Sequence, residues 1–186
     1  MPAESIRPVL PPVPEHPGAC RWTGGFSDLV GYVITPRPDG VWAVTLAANA
    51  SHCNEFWVLH GGALMTLLDI AGGCALHALE KELAWVATIS ISTNFVRAGQ
   101  PGLLTAIGQC DGGGATVVHT TMRVHQGDET GPVLATAQAS YRLFRKPTPK
   151  NSGGPAGPRS NIQVGDGEGV VLDEHPTRLN HIPHQY

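Results

Sequence analysis

Apolar positions along the chain change their period twice, and the changes outline an architecture. Leu64, Leu67, Leu68, Ala71, Cys74, Ala75 and Ala78 recur at helical spacing, which predicts one long helix over 61–79 with a continuous apolar stripe meant for a sheet. Further on the spacing shortens to two. Val118, Thr120, Met122 and Val124 face away from Val117, His119, Thr121 and Arg123, as successive side chains do on a strand. By this pattern strands are predicted at 86–96, 103–110, 115–125 and 133–144, with two shorter ones, 29–35 and 41–47, before the helix. The connectors 36–40, 99–102, 111–114 and 126–132 are short and carry glycine, so successive strands are expected to be antiparallel neighbours. The triple glycine Gly112 to Gly114 reads as a hairpin turn, because no strand-to-helix context makes it a phosphate loop. The predicted class is α+β, an antiparallel sheet with one long helix on a face.

The ends of the chain differ from this middle. Residues 1–25 are proline-rich and read as an extended arm, residues 26–146 as the domain, and residues 147–186 as a Pro/Gly-rich tail of low order. The arm has no apolar run of signal-peptide type. The predicted helix has about the length of a membrane span, but Asp69, His77 and four glycines within it favour a buried helix, so a cytoplasmic protein without a membrane partner is expected.

Charge and cysteines narrow the chemistry. A net charge of −3 and a pI near 6.3 leave no basic field for nucleic acid. Cys20, Cys53, Cys74 and Cys110 lack paired-ligand spacing, and the C-terminal His175, His181 and His184 lack a regular one, so no metal site is expected.

Asp69 stands out within the helix. It is the only charge between Glu55 and Glu80, and a carboxylate in so apolar a segment must be hydrogen-bonded, paired or used. It projects opposite the apolar stripe, beside Gly62, Met65, Thr66, Gly73 and Leu76, where a backbone or ligand has room to approach. The helix opens on Gly61 and Gly62, whose leading N–H groups lack intrahelical partners and can hold an anion or a developing oxyanion. Two readings of Asp69 stand at this point. It is a reacting carboxylate, or a structural one satisfied by hydroxyls such as that of Thr66.

The motifs extend this picture. Asn54 lies six residues before His60, His60-Gly61-Gly62 opens the helix, Asp69 follows His60 by nine, and F-V-R-A-G occupies Phe95 to Gly99. With the order of elements, this combination resembles the hotdog fold, a curved antiparallel sheet wrapped around a central helix, and in particular its acyl-CoA thioesterases of the phenylacetate-degradation (PaaI-like) type. The resemblance covers roughly residues 26–144. It implies that Asp69 is the nucleophile or the general base for water, that the Gly61 amide holds the oxyanion, and that Asn54 orients water or the thioester oxygen. It also implies an assisting hydroxyl on the next strand, assigned to Thr88 with Ser90 and Ser92 as rivals. His60 is a further catalytic candidate, although a helix entrance suits a structural hydrogen-bonding role equally. Trp57, Gly62, Met65 and Arg97 are the expected substrate contacts; Arg145 and Lys146 are further basic residues near strand ends. Trp57 departs from the family, which usually has a small residue, commonly glycine, three positions before the histidine. The indole either shapes acyl specificity or packs in the core.

The resemblance further implies a homodimer or homotetramer in which the Asp and the Gly come from different subunits. No cofactor is expected beyond coenzyme A as part of the substrate. A thioester hydrolase is the leading function. An acyl-CoA-binding or sensor protein and a hotdog hydratase or dehydratase are the alternatives, the latter usually needing a His paired with an acid.

Overall fold

The computed structural model describes residues 25–79 and 82–146. The tail at 147–186, and all of the arm but Gly25, lie outside the described residues. In chain order the elements are α1 (Phe26–Val30), β1 (Val33–Pro36), β2 (Trp42–Ala48), a 3₁₀ turn (Ala50–His52), α2 (Gly61–Leu79), β3 (Leu83–Phe95), β4 (Gly102–Gly113), β5 (Val117–Gln126) and β6 (Val133–Arg145). All strands join one six-stranded sheet in the order β1-β2-β4-β5-β6-β3, antiparallel at each pairing. The α+β class and the long helix agree with the periodicity, and α2 packs against β2 to β6.

Two expectations need correction. The segment 29–35 is not one strand: its first residues finish α1, which Gly31 ends in the left-handed conformation at φ 76°. A short apolar run does not distinguish helix from strand by period, and the glycine lets the chain reverse before β1. The second concerns neighbours. β3 and β4 are joined by a short connector, yet β3 pairs with β6 and β4 lies between β2 and β5. Three strand spacings separate them, about 14 Å at ~4.8 Å each. The six residues 96–101 reach about 20 Å when extended. A tight connector therefore crosses the end of the sheet, held there by Val96 and Arg97 N–H groups on the Leu134 carbonyl and by the Leu59 N–H on that of Gly99.

The core lies between α2 and the sheet. Leu67, Leu68 and Ala71 of the predicted stripe are fully buried with Ile34, Val44, Leu104, Ala106 and Val124. Gly108 makes the approach possible, since a Cβ there would overlap the carbonyl oxygen of Ala71. From Ala71 to Leu76 α2 is buried all round. Gly73 and Leu76 thus belong to the interior, and of the smooth face expected around Asp69 only the first turns, with Gly62 and Met65, are exposed. Beyond about two turns the sheet covers the helix on that side too.

Candidate active site

Asp69 sits in the middle of α2, where its Oδ1 accepts hydrogen bonds from Thr88 Oγ1 at 2.8 Å and Tyr141 Oη at 3.1 Å. The same tyrosine hydroxyl lies 2.9 Å from the Asp69 carbonyl. Thr88 and Tyr141 are cross-strand partners on β3 and β6, so one pairing of the sheet delivers both hydroxyls to one carboxylate oxygen. No hydrogen bond to Oδ2 is formed among the described residues. Gly72 makes room for this arrangement, because a Cβ there would overlap the Tyr141 hydroxyl. Burial first, and then the Asp69 charge and hydrogen bond, push the Tyr141 phenol well above its ordinary range, so it remains a donor. Thr66, the structural partner considered for Asp69, instead donates to the Gly62 carbonyl at 2.9 Å.

A β-bulge determines which hydroxyl reaches Asp69. The register of β3 on β6 shifts between Thr88 and Ser90, which makes Ile89 the extra residue and reverses the alternation beyond it. Val86 and Thr88 face the helix before the bulge. Ile91 packs against the core after it, which turns Ser90 and Ser92 to the opposite face. Thr88, Ser90 and Ser92 would share a face on a regular strand. Tyr141 was absent from the candidates altogether; it is 72 residues from Asp69 in sequence, and no local spacing marks it.

The helix entrance is built by the loop before it. Cys53 and Leu59 form an isolated antiparallel bridge, closed by the Trp57 N–H on the Asn54 carbonyl at 3.0 Å and the Asn54 N–H on that of Val58 at 2.9 Å. Asn54 Oδ1 accepts from the Phe56 and Val58 amides at 3.0 and 3.3 Å, so that oxygen holds the loop. Trp57 stands at φ 61°, the left-handed position of a tight hairpin that ordinarily takes glycine. Its side chain is 70% exposed, so the core-packing reading of this indole does not hold. His60 Nδ1 accepts from the Gly62 N–H at 2.8 Å, which makes the imidazole a helix cap and commits that nitrogen.

Capping of Gly62 by His60 leaves the preceding amide open. The Gly61 N–H has no hydrogen-bond partner among the described residues, and the Phe95 ring would lie 3.0 Å from a Cβ at position 61. Gly61, Leu64, Phe95, Val96 and Arg97 line a depression of about 370 Å³. Arg97 is therefore at the Gly61 end, with exposed Met65 and Gly62 on the first turns. Asp69 and Thr88 open instead onto a separate cavity of about 660 Å³, lined also by Ile70, Gly73, His77, Trp85, Val86 and Tyr141. Among the described residues, no group of three or more His, Cys, Asp or Glu side chains could hold a metal ion.

Comparison with known proteins gives this arrangement a family. The thioesterase superfamily model matches residues 56–133, a span that runs from the loop before α2 to the start of β6. The fold is the hotdog fold, and its segment from α2 to β5 belongs to the thioesterase superfamily. No curated protein matches it by sequence, but solved hotdog structures do match. A conserved protein from Pseudomonas aeruginosa is 27% identical over 66% of this chain and 95% of its own, with a TM-score of 0.58. The PaaI protein of the E. coli phenylacetic acid degradation operon is 23% identical, over 62% and 80%, with a TM-score of 0.54. A Bacillus halodurans protein solved with CoA is 22% identical, over 69% and 83%, with a TM-score of 0.61. The chain is a thioester hydrolase, and the geometry above is its candidate site.

Proposed function

We propose that this protein hydrolyses acyl-CoA thioesters to free acid and CoA, with Asp69 as nucleophile or general base and the Gly61 amide as oxyanion donor. The observation that carries this reading is the asymmetry of the Asp69 carboxylate. Two hydroxyls hold Oδ1, and Oδ2 is left for water or a carbonyl carbon at the wall of a cavity. A carboxylate fixed by one oxygen is oriented without being neutralised by a counter-ion.

The same geometry supports a site shared between two copies. Gly61 and Asp69 are eight residues apart on one helix, an axial separation of about 12 Å. A thioester carbonyl needs its attacking oxygen and its oxyanion donor each at about 3 Å. One protomer therefore cannot place both groups on one carbonyl, whereas two can if the Gly61 end of one meets the Asp69 cavity of the other. The rim of the Gly61 depression, with Phe95 and Val96 more than half exposed, is apolar enough to be covered. A homodimer or a tetramer built from it follows, acting in the cytoplasm, with coenzyme A entering only as part of the substrate.

Thiol release from a panel of acyl-CoAs tests the reaction, and mixing of variants tests the sharing. Gly61→Pro removes the amide hydrogen at a helix position that tolerates proline, and Asp69→Asn removes the carboxylate. Each should be inactive alone. Co-refolded in equal amounts, they should recover about a quarter of wild-type turnover, since half of random dimers are mixed and each mixed dimer has one intact site. No recovery in verified mixed dimers overturns the shared site; no thiol release by the wild type from any acyl-CoA overturns the reaction.

A further inference from the structure

The cavity beside Asp69 has a second, differently charged end. From Asp69 it runs along one face of α2 past Ile70, Gly73 and Cys74 to His77, and along β3 from Thr88 back through Val86 to Leu83. Its walls on the way are apolar, with Trp42 and Trp85 among them; Trp85 stacks on Phe144 with ring centroids 3.9 Å apart, which fixes its plane. At the far end stand His77 and Lys146. Such walls suit the acyl side of a thioester, because the amides of a pantetheine arm would be left without hydrogen-bond partners against them.

Resting on the thioesterase reading, we infer that the acyl group accepted here ends in a carboxylate, bound by the Lys146 ammonium with a hydrogen bond from His77, so that the substrate is the mono-CoA thioester of a dicarboxylic acid. Burial, and then the nearby Lys146 charge, hold the His77 imidazole below its ordinary pKa, leaving it neutral and able to donate one N–H. A phenol at the acyl end would meet Lys146 uncharged at neutral pH and gain less than a carboxylate. Length follows from the helix: Asp69 and His77 are separated by about 12 Å of rise, and about 3 Å at each end for attack and for hydrogen bonding leaves roughly 6 Å, close to an extended six-carbon chain. Gly73 sets the width midway, where a Cβ would lie 3.4 Å from Val86 Cγ2.

Adipyl-CoA and hexanoyl-CoA share chain length and differ in the terminal carboxylate, so their ratio of kcat/KM is the readout. Wild type should favour adipyl-CoA by roughly five- to tenfold, the scale of a partly exposed ion pair reinforced by a hydrogen bond. Lys146→Met should bring the ratio close to one, and His77→Phe should lower it by less. An equal or reversed ratio in wild type overturns the inference, as does a preference for 4-hydroxyphenylacetyl-CoA over adipyl-CoA. Equal weakening of both substrates and of free CoA by Lys146→Met overturns it too, by assigning the lysine to CoA phosphates. Calorimetric Kd values for the same pair on Asp69→Asn protein separate the two readings. Tighter adipyl-CoA binding, with no hydrolysis by wild type, would sink the hydrolase and keep the carboxylate end; turnover of hexanoyl-CoA without any adipyl preference would do the reverse.

Discussion

In the first two turns of α2 one side is buried and the other lies open, with Gly62 and Met65 exposed and the Gly61 amide without a partner among the described residues; from Ala71 to Leu76 the same helix is buried all round. Asp69 falls at the boundary. Among the described residues the sheet supplies both hydrogen-bond partners of its carboxylate, Thr88 and Tyr141, whereas none completes the Gly61 end, the proposed oxyanion donor. On the proposed reading, one helix thus carries a finished half-site and an unfinished one. The finished half needs packed neighbours to hold its polar groups, and the unfinished half needs its N–H left unpaired so that it can serve a ligand.

Asp69→Asn is the largest break of this contrast. It should fold with an unchanged circular dichroism spectrum and lose on the order of 10² to 10⁴ in kcat, the usual scale for removing a base or activated nucleophile. Near wild-type turnover by the folded variant would take Asp69 out of the mechanism. In the buried half, Gly108→Ala drives a methyl group into the Ala71 carbonyl oxygen and cannot be relieved by a rotamer change. A loss of about 2 to 3 kcal/mol in denaturant unfolding is expected, at the upper end for overpacked cores. An unaltered midpoint would mean that α2 rides higher on β4 than described.

Tyr141→Phe sharpens the same contrast at the site itself. Removing the hydroxyl that reaches both the Asp69 carboxylate and its carbonyl should cost about 1 to 2 kcal/mol of stability and lower kcat/KM by roughly tenfold through a less well-oriented carboxylate. Loss of stability with unaltered kinetics would make Tyr141 a packing residue only. At the exposed end, Trp57→Gly replaces an exposed indole at φ 61° by the residue that suits that conformation. The relieved strain, about 1 kcal/mol, and the greater entropy of an unfolded glycine oppose each other. The melting temperature should move by only a few degrees, while the ranking of short, long and aryl acyl-CoAs changes. An unchanged ranking would remove Trp57 from specificity.

The smallest effect concerns pH. Burial, and then Lys146, lower the His77 pKa in the folded state, so the unfolded chain takes up its proton first as pH falls through the ordinary histidine value. Stability should therefore decline with acidity between the unfolded pKa near 6.5 and the lower folded one, and be indifferent to this group above both. His77→Gln should flatten that part of the pH–stability profile; an identical slope in the variant would assign the decline to other groups.

Local rules reached a long way into this molecule. The 3.6-residue period placed α2 at Gly61–Leu79, and the lone charge on it drew attention to Asp69, because an uncompensated carboxylate is conspicuous in any apolar run. Period-two alternation located β2 to β6 within a few residues of their ends. The family resemblance marked the position three residues before His60 as one that commonly takes glycine, but the reason, a left-handed turn residue, needed the backbone angle of Trp57.

Three things were decided only in three dimensions. β3 lies beside β6 while β2 and β5 occupy both edges of β4, an arrangement that no connector length reveals. The choice of Thr88 over Ser90 and Ser92 turns on a bulge at Ile89; alternation is a property of the local pleat, but one extra residue resets it, and where that residue goes is settled by the partner strand. Tyr141 reaches Asp69 across 72 residues of chain, through a gap that exists because Gly72 has no Cβ. The sequence by itself determined which residue had to be explained, since burying a charge is costly whatever surrounds it; its partners, the open oxygen and the cavity beside it came from how the sheet closes over the helix.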